Sequence, residues 1–227
     1  MDIQLHYIEK GEGEPLILLH GNGEDGTYFM KQMDEFSKDY RVIAIDTRGH
    51  GKSPRGEAPF TIRQFAEDLR CFMDEMRIEK ANILGFSDGG NIALVFAIKY
   101  PLRVSKLILN GVNLNGKGVK ASVQIPIIIG YKIASFFAGK SPEAKKNAEM
   151  LGLMVNDPNV RDEELSQITV KTLVIAGTRD MIKEEHTRRI FQGLPDARLE
   201  FVEGDHFIAN RNSEVFNQVV REFLASE

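Results

Sequence analysis

Ala81-Asn82-Ile83-Leu84-Gly85-Phe86-Ser87-Asp88-Gly89-Gly90-Asn91-Ile92-Ala93-Leu94-Val95-Phe96-Ala97 is the stretch that decides how this chain folds. An apolar run leads into Gly85-x-Ser87-x-Gly89, and a helical pattern follows it. Strand, sharp turn and helix form the setting in which a serine becomes a nucleophile. The turn strains the serine backbone, and the flanking glycines let strand and helix approach without a Cβ clash. The helix N-terminus behind the hydroxyl then stabilises negative charge. A glycine-rich turn whose serine merely caps the next helix would give the same five letters, so the surroundings must decide.

Outward from this stretch, short apolar runs alternate with longer helical patterns. Strands are expected at Gln4–Ile8, Leu16–His20, Arg41–Asp46, Asn82–Phe86, Lys106–Asn110, Thr172–Ala176 and Leu199–Val202. The central ones are unbroken Val/Ile/Leu runs, as parallel strands covered on both faces require. Helices are expected at Thr27–Ser37, Ile62–Met76, Asn91–Lys99, Glu184–Phe191 and Ser213–Leu224. This alternation predicts an α/β fold with a doubly wound, mostly parallel sheet, whose ligands bind beyond the carboxyl ends of the strands. The rhythm breaks between Asn113 and Gln167, where apolar clusters such as Ala134-Ser135-Phe136-Phe137 mix with lysines. Residues 113–167 are therefore expected to be a short helical cap. It would interrupt a core of residues 1–112 and 168–227 within one folding domain.

The 227 residues suffice for one domain with a sizeable core, and 42% hydrophobic with 27% charged is the balance of a soluble globular protein. A net charge of −4 gives no general attraction to nucleic acid or to an anionic membrane. The single cysteine, Cys71, excludes an internal disulfide and fits a reducing compartment. Met1 to Tyr7 has neither the basic region nor the apolar core of a secretory signal, so the expected location is cytoplasmic. Oligomeric state leaves no signature.

A serine hydroxyl needs a positioned base, usually a histidine held by a carboxylate. Of five histidines, His6 is expected in the first strand, His186 in a surface helix, and His20 and His50 in glycine-rich turns. His206, in a loop after the last strand, lies where reactive groups gather and is the leading base. Asp180, in the turn after the Thr172–Ala176 strand, is the favoured orienting acid. Its rival Asp205 adjoins His206, and neighbouring side chains diverge. The oxyanion would be held by the backbone N–H groups of Asp88 and of Asn22, with Gly23 as the alternative. Gly23, Phe86, Asp88, Phe136 and Phe207 are the candidate substrate-binding residues. For Asp88 two readings stand: pairing with a cationic substrate group, or sitting at the positive end of the elbow helix.

His20-Gly21-Asn22-Gly23, Asp46-Thr47-Arg48-Gly49-His50-Gly51-Lys52-Ser53, the Ser87 elbow and the chain order Ser87, Asp180, His206 together resemble the α/β-hydrolase superfamily, in its esterase-like branch. The resemblance runs from end to end, with a shortened N-terminal hairpin and a small cap. It implies a serine hydrolase that cleaves a carboxylic ester, or a related acyl bond, of a small to medium apolar substrate, with no metal or organic cofactor. Two other readings remain. Gly21-x-Gly23-x-x-Gly26 with Asp46 imitates the dinucleotide site of an NAD-dependent oxidoreductase, although Glu24 and Asp25 would place carboxylates against its pyrophosphate. The other is a non-catalytic small-molecule-binding protein on the same fold.

Overall fold

The computed structural model describes residues 1–226. Its strands are β1 (Tyr7–Lys10), β2 (Glu14–Leu19), β3 (Tyr40–Ile45), β4 (Ala81–Phe86), β5 (Val104–Asn110), β6 (Thr172–Gly177) and β7 (Ala197–Val202). They form one sheet in the order β1-β3-β2-β4-β5-β6-β7. Only β1 runs antiparallel to its neighbour. The helices are α1 (Met30–Phe36), α2 (Ile62–Glu75), α3 (Asp88–Lys99), α4 (Ala121–Phe137), α5 (Pro142–Asn156), α6 (Asp162–Leu165), α7 (Glu184–Gly193), α8 (Ile208–Arg211) and α9 (Ser213–Ala225). None is long and apolar enough to cross a membrane, among the described residues.

Alternation along the strands builds two cores. Ile17, Leu19, Ile43, Ile45, Ile83 and Leu107 face α2 and α3, where Phe65, Leu69, Phe72 and Phe96 meet them. Leu16, Leu18, Val42, Leu84, Ile108 and Leu173 point the other way, toward Met33 and Phe36 of α1 and Phe216, Val220 and Phe223 of α9. Period-two side chains with both faces covered explain why the central strands are apolar throughout. Each fully buried Leu or Phe stabilises the fold by about 1.5–3 kcal/mol. The register brings the carboxyl ends of β4, β5 and β6 side by side, with Phe86 opposite Asn110 and Asn110 opposite Ile175.

Two sequence expectations change. The first strand begins at Tyr7 rather than Gln4 and pairs with β3, so the N-terminal pair is not a hairpin. His186 is buried rather than on the surface: its Nε2 accepts the Leu114 N–H at 3.0 Å, and Gly118 packs over its ring. Arg48, in the loop after β3, is held by ion pairs. Its side chain is fully enclosed, pairing with Asp68 and Asp2 at 2.6–2.7 Å besides donating to the Arg55 carbonyl. Between β5 and β6 the chain leaves the sheet for α4, α5 and α6. α4 packs on α5 through Gln124, which donates to the Met154 carbonyl at 3.1 Å, and through Tyr131, which covers Gly152.

Candidate active site

Ser87 follows the last residue of β4 with φ 53° and ψ −121°, a conformation disfavoured for a residue with a side chain. Two bonds hold it there: its N–H donates to the Asn110 carbonyl at 2.8 Å, and its carbonyl accepts the Asn91 N–H at 2.9 Å. The flanking glycines are steric necessities. A Cβ on Gly85 would stand 2.3 Å from the Gly89 carbonyl oxygen, and one on Gly89 would stand 2.1 Å from that of Leu19.

His206 and Asp180 arrive from the ends of β7 and β6. The Ser87 Oγ–H donates to His206 Nε2 at 3.0 Å, and His206 Nδ1–H donates to Asp180 Oδ1 at 2.7 Å. Both partners are buried. Asp180 is itself fixed, accepting the Ile182 N–H on Oδ1 at 2.9 Å and the Gly177 N–H on Oδ2 at 3.4 Å. Asp205 faces elsewhere, accepting the Phe207 N–H and pairing with Arg211. The Phe86 ring, 4.8 Å between centroids, and Phe207, at 5.6 Å, flank the imidazole. This order of contacts sets the serine hydroxyl against a proton acceptor with a carboxylate behind it, an arrangement suited to nucleophilic chemistry.

The loop after β2 closes over the same point. His20, kept neutral by burial, has its tautomer fixed: Nδ1–H donates to the Gly21 carbonyl at 2.7 Å, and Nε2 accepts the Thr47 N–H at 3.0 Å. The Asn22 amide ties this loop to α5 by donating to the Met150 carbonyl at 2.7 Å. Asp88 opens α3, so its N–H has no partner within the helix. The N–H groups of Asn22 and Asp88 reach no backbone acceptor among the described residues, and Asn22 lines the same cavity as Ser87.

The cavity at Ser87 measures about 320 Å³. Gly21, Asn22, Glu24, Phe86, His206 and Phe207 line it from the core, and Met150, Leu151, Met154 and Met181 complete it. A roomier cleft of about 570 Å³ lies between residues 49–60 and α5, but it contains neither Ser87 nor His206. The candidate site is therefore the smaller cavity, which holds both Ser87 and His206.

Three candidate substrate-binding residues lie outside the cavity wall. Gly23 sits on the exposed side of its loop. Phe136, 72% exposed, is on the outer side of α4, because α5 is the helix that faces Ser87. The Asp88 carboxyl is enclosed: Oδ1 accepts from Asn91 Nδ2 at 3.2 Å, Oδ2 is buried without a partner, and the group does not open on the cavity. Burial pushes this carboxyl up to about 6, against the pull of the Asn91 and Asn22 amides.

Sequence reasoning missed Glu24 and the methionines. Burial pushes the Glu24 carboxyl up to about 7, while its bond from the Gly21 N–H (3.1 Å) and the nearby His206 oppose the rise. Met150, Leu151 and Met154 recur at one-turn spacing, the signal by which one face of α5 could have been found. Nothing at the glycine-rich loop is arranged for a dinucleotide. The Asp46 carboxylate is occupied by the Gly26 and Lys52 N–H groups and by His6. No cluster of three or more His, Cys, Asp or Glu suited to a metal occurs among the described residues.

Comparison with known proteins gives a consistent picture. The α/β hydrolase fold family matches residues 14–125. The chain is 29% identical over 267 residues to a 2-hydroxy-6-oxononadienedioate/2-hydroxy-6-oxononatrienedioate hydrolase of Paraburkholderia phymatum, covering 98% of this chain and 91% of that protein. It is 27% identical over 248 residues to the serine hydrolase BPHL of Homo sapiens, covering 98% and 83%. In fold it is similar to the crystal structure of an enol-lactonase from Burkholderia xenovorans. The TM-score is 0.83 at 23% identity, over 99% of this chain and 97% of that one.

Proposed function

The chain belongs to the α/β-hydrolase superfamily and is a hydrolase of that family, and we propose that it cleaves a neutral carboxylic ester of small to medium apolar character through an acyl-enzyme on Ser87. The observation that carries this reading is the continuous relay from Ser87 Oγ to His206 Nε2 and from His206 Nδ1 to Asp180, at 3.0 and 2.7 Å. Its likeness to a protein named as a serine hydrolase supports it.

In the proposed reaction Ser87 Oγ attacks the acyl carbonyl while its proton passes to His206 Nε2. Asp180 stabilises the resulting imidazolium, and the Asn22 and Asp88 N–H groups receive the oxyanion. His206 returns the proton to the departing alkoxide. Water then enters by the same route, with His206 as its base, and releases the acid and Ser87. Each oxyanion donor contributes on the order of a hundredfold or more in rate. Residues 113–167 serve as the cap, with α5 supplying the apolar wall.

Charge narrows the substrate. The cavity wall includes the carboxyl of Glu24 and no lysine or arginine, and Asp88 lies just behind it. A carboxylate-bearing substrate, such as the dioates in the name of the Paraburkholderia relative, would find no lysine or arginine in this wall as a counterion. Neutral esters fit.

The test is hydrolysis of a p-nitrophenyl ester series of rising acyl length, with a carboxylate-terminated member included, by the wild type and Ser87→Ala. The proposal expects turnover of the neutral members, a loss of about a thousandfold or more in the variant, and poor turnover of the acidic member. Equal rates for wild type and variant would remove the serine mechanism. Preference for the acidic member would remove the substrate assignment alone.

A further inference from the structure

The cap helix α4 carries a feature that hydrolysis does not use. Eleven large apolar side chains are exposed among the described residues, and five of them lie on this one helix: Ile125 (56%), Ile129 (54%), Ile133 (57%), Phe136 (72%) and Phe137 (45%). At about 100° per residue they share one arc of about 120°, with Lys132 at its edge. The opposite side of α4, through Gln124 and Tyr131, rests on α5. Scattered exposed apolar residues are ordinary, but a contiguous stripe on a soluble surface marks a contact.

Charge says what the contact is. Two lysines border the stripe, Lys132 at its edge and Lys140 just past the helix, whereas Lys145 and Lys146 line the cleft between α5 and residues 49–60 and Lys117 lies beside His186. Lys117, Lys132, Lys140, Lys145 and Lys146 form no ion pair with any of the described residues. Lys140 instead stands over the rings of Phe136 and Phe137, at 5.6 and 5.9 Å. On a chain of net −4 the apolar stripe therefore has two unpaired lysines at its border.

We propose that α4 is an interfacial helix that docks this hydrolase, cap first, on an anionic lipid surface. The isoleucines and phenylalanines would enter the headgroup–acyl boundary, and the lysines would pair with lipid phosphates. The helix is about 25 Å long and turns an apolar arc outward with Lys132 and Lys140 at its border, so its long axis can lie along a membrane surface. A second copy of the chain fits less well. In a two-fold interface the stripe would meet itself, and α4 offers Lys132 no acidic residue of its own to pair with. Docking would also hold α5, whose Met150, Leu151 and Met154 wall the Ser87 cavity, one helix layer of about 10 Å from the lipid.

The test is co-sedimentation of the full-length protein with vesicles of phosphatidylcholine alone, or of phosphatidylcholine with about one third phosphatidylglycerol, at low and high salt. The proposal expects binding to the anionic vesicles, much weaker binding to the neutral ones, and loss in high salt. Each lysine is worth about fivefold in partitioning, so Lys132→Gln/Lys140→Gln should weaken binding on the order of thirtyfold. Ile129→Asp should weaken it at least about tenfold, with helix content unchanged by circular dichroism. Absence of vesicle binding overturns the proposal, as does binding indifferent to lipid charge. A micromolar dimer in sedimentation velocity that Ile129→Asp dissociates overturns it too, and gives the stripe to a second copy.

Discussion

Replacing Asp88 by Asn should stabilise the protein above neutral pH and leave it unchanged in acid. Asp88 opens α3 at the positive end of the helix, a favourable place worth about 0.3–1 kcal/mol. Burial works against it more strongly: the carboxyl is enclosed, Oδ2 has no partner, and the group rises from 3.8 to about 6. A carboxyl raised on folding favours the folded state below its unfolded value. That advantage is lost as pH climbs through the folded value, here between about 4 and 6. At about 1.36 kcal/mol per pH unit, the rise of roughly two units costs about 3 kcal/mol above pH 7. Asn is nearly isosteric and carries no charge, so it escapes this cost, and it leaves the Asp88 N–H in place. For a chain of 227 residues the gain corresponds to roughly 6–12 °C in Tm at pH 8. The assay is urea unfolding of wild type and Asp88→Asn at matched pH from 4 to 8, read as the difference between them. A difference that does not grow with pH, or an Asn variant less stable at pH 8, would refute the burial argument.

Other outcomes follow from the same contacts. Glu24→Gln should likewise gain stability over wild type as pH rises from about 4.5 to about 7, and gain little below that range, as thermal melts at about pH 4 and pH 8 would show. Gly111 has φ +63°, and a Cβ there would stand 2.7 Å from His206 Cε1, so Gly111→Ala should displace the imidazole. Steady-state kinetics should show kcat falling at least about tenfold with KM less affected. Arg48→Met strands the buried Asp68 carboxylate and should cost about 3–5 kcal/mol in urea unfolding, with no change in substrate preference.

The parts of the molecule legible in the sequence are those in which local pattern and burial agree. β2 to β6 are apolar runs because helices cover both faces, and the Ser87 turn is marked by glycines that only close packing explains. Asp180 is favoured over Asp205 in the sequence because neighbouring side chains diverge, and in the structure Asp180 meets His206 Nδ1 while Asp205 pairs with Arg211. β1 was misplaced because Tyr7, Glu9 and Lys10 are exposed edge residues, and pairing with β3 rather than periodicity defines the strand. The misreading of His186 has a similar cause. Its neighbours in the chain are charged, while its burial comes from Leu114 and Gly118, about 70 residues away. Phe136 misled for the opposite reason. α4 is apolar nearly all round, so its sequence does not say which side faces the protein, and the cavity is walled by the less apolar α5.

The central claim is that Ser87, activated by His206, carries the acyl group. Intact-protein mass spectrometry after brief exposure to a fluorophosphonate tests it most directly. The account predicts a single adduct mapped to Ser87, absent in Ser87→Ala and formed at least about a hundredfold more slowly in His206→Ala. An unlabelled wild type, or an adduct on any other residue, would contradict it.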